Sequence, residues 1–388
     1  MRVAIVHYWL VGMRGGEKVL ESICNIYPDA DIFTHVYDPG SVSGTIKRHR
    51  ITTTSISRLP FPRKFYKKYL PLMPMALERL NLNDYDLIIS SESGPSKGII
   101  PNSPALHVCY CHSPMRYIWN MSHDYYNRSS LFTKLMMPMF SHYLRQWDVT
   151  TAARVDSFAA NSATVAGRIR SYYRREAEVV YPPVDTAAFA PVSSSEIGDY
   201  YLMAGELVSY KRPDLAVAAF NQLKLKLKVI GGGEMLKHLR SVAGPTVEIM
   251  GPQPFDVLKH HYARCQALIF PGEEDFGLVP VEAMASGRPV IAYGRGGATE
   301  TVIGDETGVF FKSQTVEAII DAIERLERLD LDPAVAVARA KSFGKDVFAE
   351  KFKSFVERAS RRQAGHFDLE TVRNDGQLNS IRLREYRP

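Results

Sequence analysis

Two glutamates eight positions apart, Glu274 and Glu282, bracket the segment Pro271-Gly272-Glu273-Glu274-Asp275-Phe276-Gly277-Leu278-Val279-Pro280-Val281-Glu282. A carboxylate accepts hydrogen bonds through both oxygens, and its charge strengthens them. A pair of carboxylates therefore suits a ligand that carries several hydroxyls. Between them a helix is expected to begin near Pro280, a proline suiting the first turn, with Gly277 and Leu278 close to its start. Backbone N–H groups at such a helix start seat an anion such as a diphosphate. Earlier in the chain, Gly205-Glu206-Leu207-Val208-Ser209-Tyr210-Lys211-Arg212-Pro213-Asp214 follows an apolar run and opens another expected helix. A lysine at that corner can neutralise the charge that grows on a departing diphosphate, stabilising the transition state electrostatically. Taken singly, Glu282 reads as a helix-dipole acid, Glu274 as a solvated loop charge and Lys211-Arg212 as a solvated helix cap. As a set they point to a polyhydroxylated ligand bearing a diphosphate.

Further candidates lie elsewhere. Met13-Arg14-Gly15-Gly16-Glu17 follows the first apolar run, and its two glycines let backbone approach a ligand. Alone, that segment reads equally as a plain turn. His112 closes the run Ala105–Cys111. Gly231-Gly232-Gly233-Glu234 and Gly251-Pro252-Gln253 follow two more apolar runs. His107, Cys109, Cys111 and His112 invite a zinc reading, but residues two apart on a strand share a face, so Cys109 and Cys111 point away from His112. Asp84-Tyr85-Asp86 has the look of a metal-binding pair of aspartates. It precedes its strand, at the end of a parallel sheet away from ligands. No metal is expected.

These residues need a scaffold, and short apolar runs alternate with helical stretches from the first residue onward. Val3–His7, Leu87–Ser91, Ala105–Cys111 and Ser157–Asn161 read as strands, with a helix over Glu17–Tyr27. The beat breaks at Tyr181-Pro182-Pro183-Val184-Asp185, where two prolines force extended backbone. It restarts with strands Tyr200–Ala204, Leu227–Ile230, Thr246–Met250 and Ala267–Phe270, and helices Pro213–Leu223, Pro254–Arg264 and Thr315–Leu326. A last helix is expected over Phe343–Ala359. This alternation predicts βαβ units on parallel sheets, used twice. The 388-residue length fits two domains.

The Glu274–Glu282 run resembles the E-x7-E segment of the retaining GT-B glycosyltransferases of family 4, and the similarity extends from Gly15-Gly16 to the last helix. The resemblance implies an α/β fold of two Rossmann-like domains facing a central cleft. Residues 1–180 would bind the acceptor, 181–198 would be a linker and 199–342 would bind the nucleotide-sugar. Residues 343–362 would be a helix crossing back to the first domain, and 363–388 a polar tail. Glu274 would hold hydroxyls of the transferred sugar and Glu282 the ribose hydroxyls. Phe276, Gly277 and Leu278 would line the sugar and diphosphate. Lys211 matches the family's lysine, whereas Glu206 stands where an arginine is usual, so Arg212 or Arg295 is expected to substitute. Gly15 and Gly16 would face the donor phosphates and acceptor, and His112 would contact the transferred sugar. Gly231 to Glu234 would lie near the base, and the Gly251 loop would meet its edge.

The implied reaction is metal-independent transfer of a hexose with retention, the nucleotide-sugar being a co-substrate and no cofactor being required. The resemblance is closest to mannosyltransferase-like members of bacterial surface-polysaccharide pathways. GDP-mannose is therefore the expected donor, and a saccharide or lipid-linked saccharide the acceptor. A UDP-sugar donor, or a nucleotide-sugar-binding protein without catalysis, are the alternatives. The net charge of +6 suits an anionic ligand or surface, but the basic residues show no groove-sized pattern, which argues against nucleic acid. No stretch approaches the roughly 20 apolar residues of a membrane span. The start, Met1 to Val6, leads into Gly12, Gly15 and Gly16 and not into a cleavage site. Four scattered cysteines fit a reducing compartment. The expected location is the cytoplasm, with contact at the inner face of the membrane. That contact rests on residues 58–79, where Arg58, Arg63, Lys64, Lys67, Lys68 and Arg79 are mixed with aromatic and apolar residues and Glu78 is the only acid. The segment reads equally as an anionic-membrane surface or as a solvated basic loop.

Overall fold

The structure is a computed structural model and describes residues 1–128 and 131–382. It divides into two compact units. The first comprises Met1–Ala160, Val165–Val180 and the residues from Ala349 onward; the second comprises Asn161–Thr164 and Tyr181–Phe348.

The first unit is built on seven parallel strands: β1 (Val3–His7), β2 (Asp31–Thr34), β3 (Ile51–Thr53), β4 (Leu87–Glu92), β5 (Leu106–Cys111), β6 (Ser157–Ala160) and β7 (Ala177–Val179). Their order is β3-β2-β1-β4-β5-β6-β7. The second holds six parallel strands: β8 (Tyr200–Ala204), β9 (Lys226–Ile230), β10 (Val247–Gly251), β11 (Leu268–Phe270), β12 (Val290–Tyr293) and β13 (Gly308–Phe311), ordered β10-β9-β8-β11-β12-β13. Both units are Rossmann-like α/β domains. In each, the strand order reverses beside the first strand, between β1 and β4 and between β8 and β11. Open parallel sheets bind ligands at the carboxyl ends of the strands flanking such a reversal.

The central strands are buried along their whole length, which is why they read as continuous apolar runs and not as alternating ones. Alternation shows instead in which core each side chain joins. Tyr200, Leu202 and Ala204 of β8 enter one cluster, and Tyr201 and Met203 enter the cluster on the opposite face. The helix Gly15–Ile26 turns Val19, Leu20 and Ile23 inward at helical spacing. Pro213–Leu223 starts on a proline, which needs no N–H partner there, and ends where Lys224 takes a left-handed conformation (φ 58°).

Several elements differ from the sequence reading. β2, β3 and β7 are only three or four residues long, too short for periodicity to mark them. Residues 181–198, expected as a linker, belong to the second unit: Val184 and Phe189 are buried in its core, and Val184 N–H donates to the Phe343 carbonyl at 2.9 Å. The last helix runs Lys345–Arg382, through most of the expected polar tail; residues 383–388 lie outside the described residues. Within the first unit, Phe352 of this helix packs on Tyr110 and Arg358 pairs with Glu178. Cys109 and Cys111 both enter the hydrophobic core. Among the described residues no helix is long and apolar enough to cross a membrane.

A fully buried ion cluster sits under the carboxyl edge of the first sheet. Lys97 bonds to Asp148 and lies 3.6 Å from Glu92. Asp148 also accepts from Trp119 Nε1 (2.7 Å) and the Tyr173 hydroxyl (2.9 Å), and Glu92 from the backbone N–H groups of Ser96 (2.9 Å) and Lys97 (2.7 Å).

Candidate active site

In the second unit, the chain after β8 and the chain after β11 meet at the strand-order reversal. Lys211 Nζ lies 2.8 Å from Glu274 Oε1 there, with both side chains mostly buried. The approach depends on Gly272: a Cβ at that position would stand 2.5 Å from Lys211 Cα. The loop carrying Glu274 is clamped from β12's side. Gly297 N–H donates to the Glu274 carbonyl at 2.8 Å, and a Cβ on Gly297 would meet Phe276 Cα at 2.2 Å. Burial works against the Lys211 charge, but Glu274, with Tyr210 and Glu206, outweighs it and raises the pKa above lysine's ordinary value. Lys211 is therefore a fixed cation at neutral pH.

The helix Leu278–Ala285 follows, capped by Gly277 in a left-handed conformation (φ 85°) that a side chain would strain. Glu282 projects from this helix, is buried, and accepts a 2.9 Å hydrogen bond from the Tyr262 hydroxyl. Tyr262 escaped the sequence reading because its tie to Glu282 spans twenty residues. Phe276 is placed differently from expectation. Its ring packs between Tyr181 and Phe343 at 5.6 and 5.5 Å and is buried, so only its backbone, beside Gly277 and Leu278, faces the loop. Arg212 is held to the start of its own helix, Nη2 lying 3.0 Å from Asp214 Oδ2, and Arg295 lies against the Tyr293 ring. Gly251 (φ 74°) ends β10, the edge strand, two strands from β8. Thus Lys211, Glu274, Gly277, Leu278 and Glu282 gather around one reversal point, and Gly251 stands apart at the sheet edge.

His112 and the Gly15-Gly16 pair lie in the first unit, at the carboxyl ends of β5 and β1. Gly15 and Gly16 open the helix Gly15–Ile26. A Cβ on Gly16 would come 2.1 Å from the Tyr8 hydroxyl, which would have to shift, and would reach ordinary contact with His112 Nε2 at 3.7 Å. His112 Nε2 is 2.8 Å from Ser91 Oγ, which is 3.0 Å from His7 Nδ1. Burial pushes the His112 pKa down to about 4 and, together with His112, holds His7 well below the usual histidine range. His7 and Ser91 were not singled out in the sequence. Their signal is a polar residue closing each apolar run, at the strand end where ligands bind. Asp84 and Asp86 sit at the amino end of β4, engaged with Arg2.

Residues 13–188 match the family model "Glycosyltransferase Family 4", and residues 187–343 match "Glycosyl transferases group 1". A GDP-mannose-dependent alpha-(1-6)-phosphatidylinositol monomannoside mannosyltransferase of Mycobacterium tuberculosis is 30% identical over 209 residues, covering 46% of this chain and 54% of that protein. A D-inositol 3-phosphate glycosyltransferase of Acidothermus cellulolyticus is 31% identical over 235 residues, covering 50% and 51%. The chain spans about half the length of these curated relatives. Among solved structures, Anabaena HepE in complex with UDP and glucose shares the fold at a TM-score of 0.67 and 17% identity, over 92% of this chain and 99% of that one. Two glycosyltransferase family models therefore match in succession over residues 13–343, on a GT-B fold of two Rossmann-like domains that solved glycosyltransferases share.

Proposed function

We propose that the chain is a hexosyltransferase that moves mannose from GDP-mannose to a saccharide acceptor, with retention of configuration and without a metal ion, in the making of a cell-surface polysaccharide. The observation that carries this reading is the Lys211–Glu274 pair, 2.8 Å apart at the reversal point of the second sheet, with Glu282 on the helix that starts there. Lys211 offsets the charge growing on the departing diphosphate. Backbone N–H groups at Gly277 and Leu278 bind its oxygens. Glu274 and Glu282 accept from hydroxyls of the sugar and the ribose.

Mannose is favoured because the Mycobacterium relative is described as GDP-mannose-dependent. A UDP-sugar is the second reading, since the Anabaena structure holds UDP. A thermal-shift screen separates them. At about 100 times its dissociation constant a true donor adds about 2.7 kcal/mol of stability. GDP-mannose is expected to raise the melting temperature, and a shift with UDP-sugars alone would favour the second reading. Binding without transfer to any saccharide would leave a nucleotide-sugar-binding protein. Product anomers read by NMR test retention, and activity that EDTA abolished and magnesium restored would refute the metal-free mechanism.

The acceptor is proposed to be lipid-linked, reached by docking the first unit on the inner face of the cell membrane. In the 58–79 segment Tyr66, Tyr69 and Leu70 pack inward, leaving Phe61 72% exposed among lysines. The helix Leu131–Thr151 adds Leu131 (87% exposed) and Leu135 (78%), in a stretch with no acid between Leu131 and Trp147. Exposed apolar groups in a basic surround suit anionic lipid, each cation near the surface adding about 1 kcal/mol. Co-sedimentation with phosphatidylglycerol vesicles at low salt is expected, and no binding there would end the docking idea.

A further inference from the structure

Ser91 sits between two imidazoles, and the protein around it leaves only one way to distribute the protons. His7 and Ser91 are paired across β1 and β4. Ser91 Oγ lies 3.0 Å from His7 Nδ1 and 2.8 Å from His112 Nε2. Both rings are neutral at pH 7, since burial lowers both pKa values. A neutral imidazole carries one proton, and a hydroxyl has one to donate.

Three arrangements satisfy both contacts. If both rings donated to Ser91, its own proton would need a third partner. Ser91 is fully buried, and among the described residues its hydroxyl has no other partner. If His112 donated to Ser91 and Ser91 to His7 Nδ1, the His7 proton would sit on Nε2. That atom is buried without a hydrogen-bond partner among the described residues. Orphaned buried N–H groups are rare, and under-satisfied acceptors less so. The remaining arrangement strands no proton: His7 Nδ1–H donates to Ser91, Ser91 donates to His112 Nε2, and the His112 proton resides on Nδ1. His112 as a residue is partly exposed, and its Nδ1 is not among the buried atoms that lack a partner.

We propose that Ser91 and His7 are positioning residues that lock His112 in its Nδ1–H tautomer, so that His112 meets a substrate oxygen as a hydrogen-bond donor and not as a base. The role toward substrate rests on the functional reading above; the tautomer does not. Fixing a ring's tautomer through the hydrogen bond made by its other nitrogen is a general device at functional histidines.

Long-range proton–nitrogen NMR on 15N-histidine-labelled protein reads the tautomer directly, without substrate. The His112 signals are assigned by their loss in His112→Gln. The Nδ1–H pattern is expected at neutral pH. An Nε2–H pattern, or a mixture of the two, would overturn the relay even if the Ser91 variants failed to fold. Ser91→Ala is expected to let the Nε2–H form appear and to lower kcat/KM for the nucleotide-sugar about tenfold, roughly one net hydrogen bond; Ser91→Thr, which keeps the hydroxyl, restores most of that loss. A Ser91→Ala enzyme with unchanged kcat/KM would overturn the positioning role. Absence of any transfer by the wild type would count against the functional reading and leave the tautomer measurement decisive for the relay.

Discussion

Lys211→Ala is expected to lower kcat about 100-fold or more, about 2.7 kcal/mol of transition-state stabilisation, while the fold survives. The magnitude follows from what one preorganised electrostatic group contributes when it faces developing charge in a largely water-free site. Lys211 is mostly buried, held by Glu274 at 2.8 Å, and kept protonated. Its removal leaves the loops in place, because the Lys211 backbone is fixed against Gly272 and its N–H donates to the Val208 carbonyl at 3.0 Å. Glu274→Gln is a companion. It keeps the shape and one acceptor oxygen but removes the charge, so its loss should be smaller than that of Glu274→Ala. Steady-state rates with GDP-mannose, alongside a circular-dichroism melt, check both. Wild-type turnover in Lys211→Ala would remove the lysine from the mechanism, and a collapsed melt would mean its role is structural.

The largest expected loss of stability comes from Lys97→Met in the first unit. Removing one partner of a buried ion cluster typically costs about 3–5 kcal/mol, because the remaining charge is left without compensation. Here two carboxylates, Asp148 and Glu92, lose their shared cation in a fully buried setting. Burial already raises the Glu92 pKa, an effect that Lys97 opposes. Burial lowers and then Asp148 and Glu92 more than restore the Lys97 pKa, which ends above lysine's ordinary value. A cation with a raised folded-state pKa stabilises fully below its unfolded pKa of about 10.4. That contribution is lost only as pH climbs through the folded value. The deficit of Lys97→Met should therefore be undiminished from neutral pH up to about 9. Urea unfolding at pH 7 and pH 9 tests this. A variant within about 1 kcal/mol of wild type at both would show that the cluster is not what holds this edge together.

How much of this was readable in advance varied with distance along the chain. Tyr200–Ala204 and Pro213–Leu223 have the bounds that apolar runs and a leading proline suggest. The Glu274 loop and the helix behind it were visible as a glycine hinge before an apolar stretch, although the helix starts at Leu278, two residues before Pro280. The side chain of Phe276 went the other way. An aromatic in a ligand loop looks like lining, yet Tyr181 and Phe343, far off in sequence, offered it a core to fill.

From residue types and spacing alone came the strand-helix alternation, the two-unit organisation and the set Lys211, Glu274, Glu282, because each rests on periodicity or turn chemistry within a dozen residues. Tertiary structure alone decided that Lys97 belongs to Asp148 and that Ser91 bridges His7 and His112, partners up to 84 residues apart. The reason is that a strand's own pattern says which of its residues are buried, whereas the order in which crossovers lay strands side by side says which buried polar group each one meets.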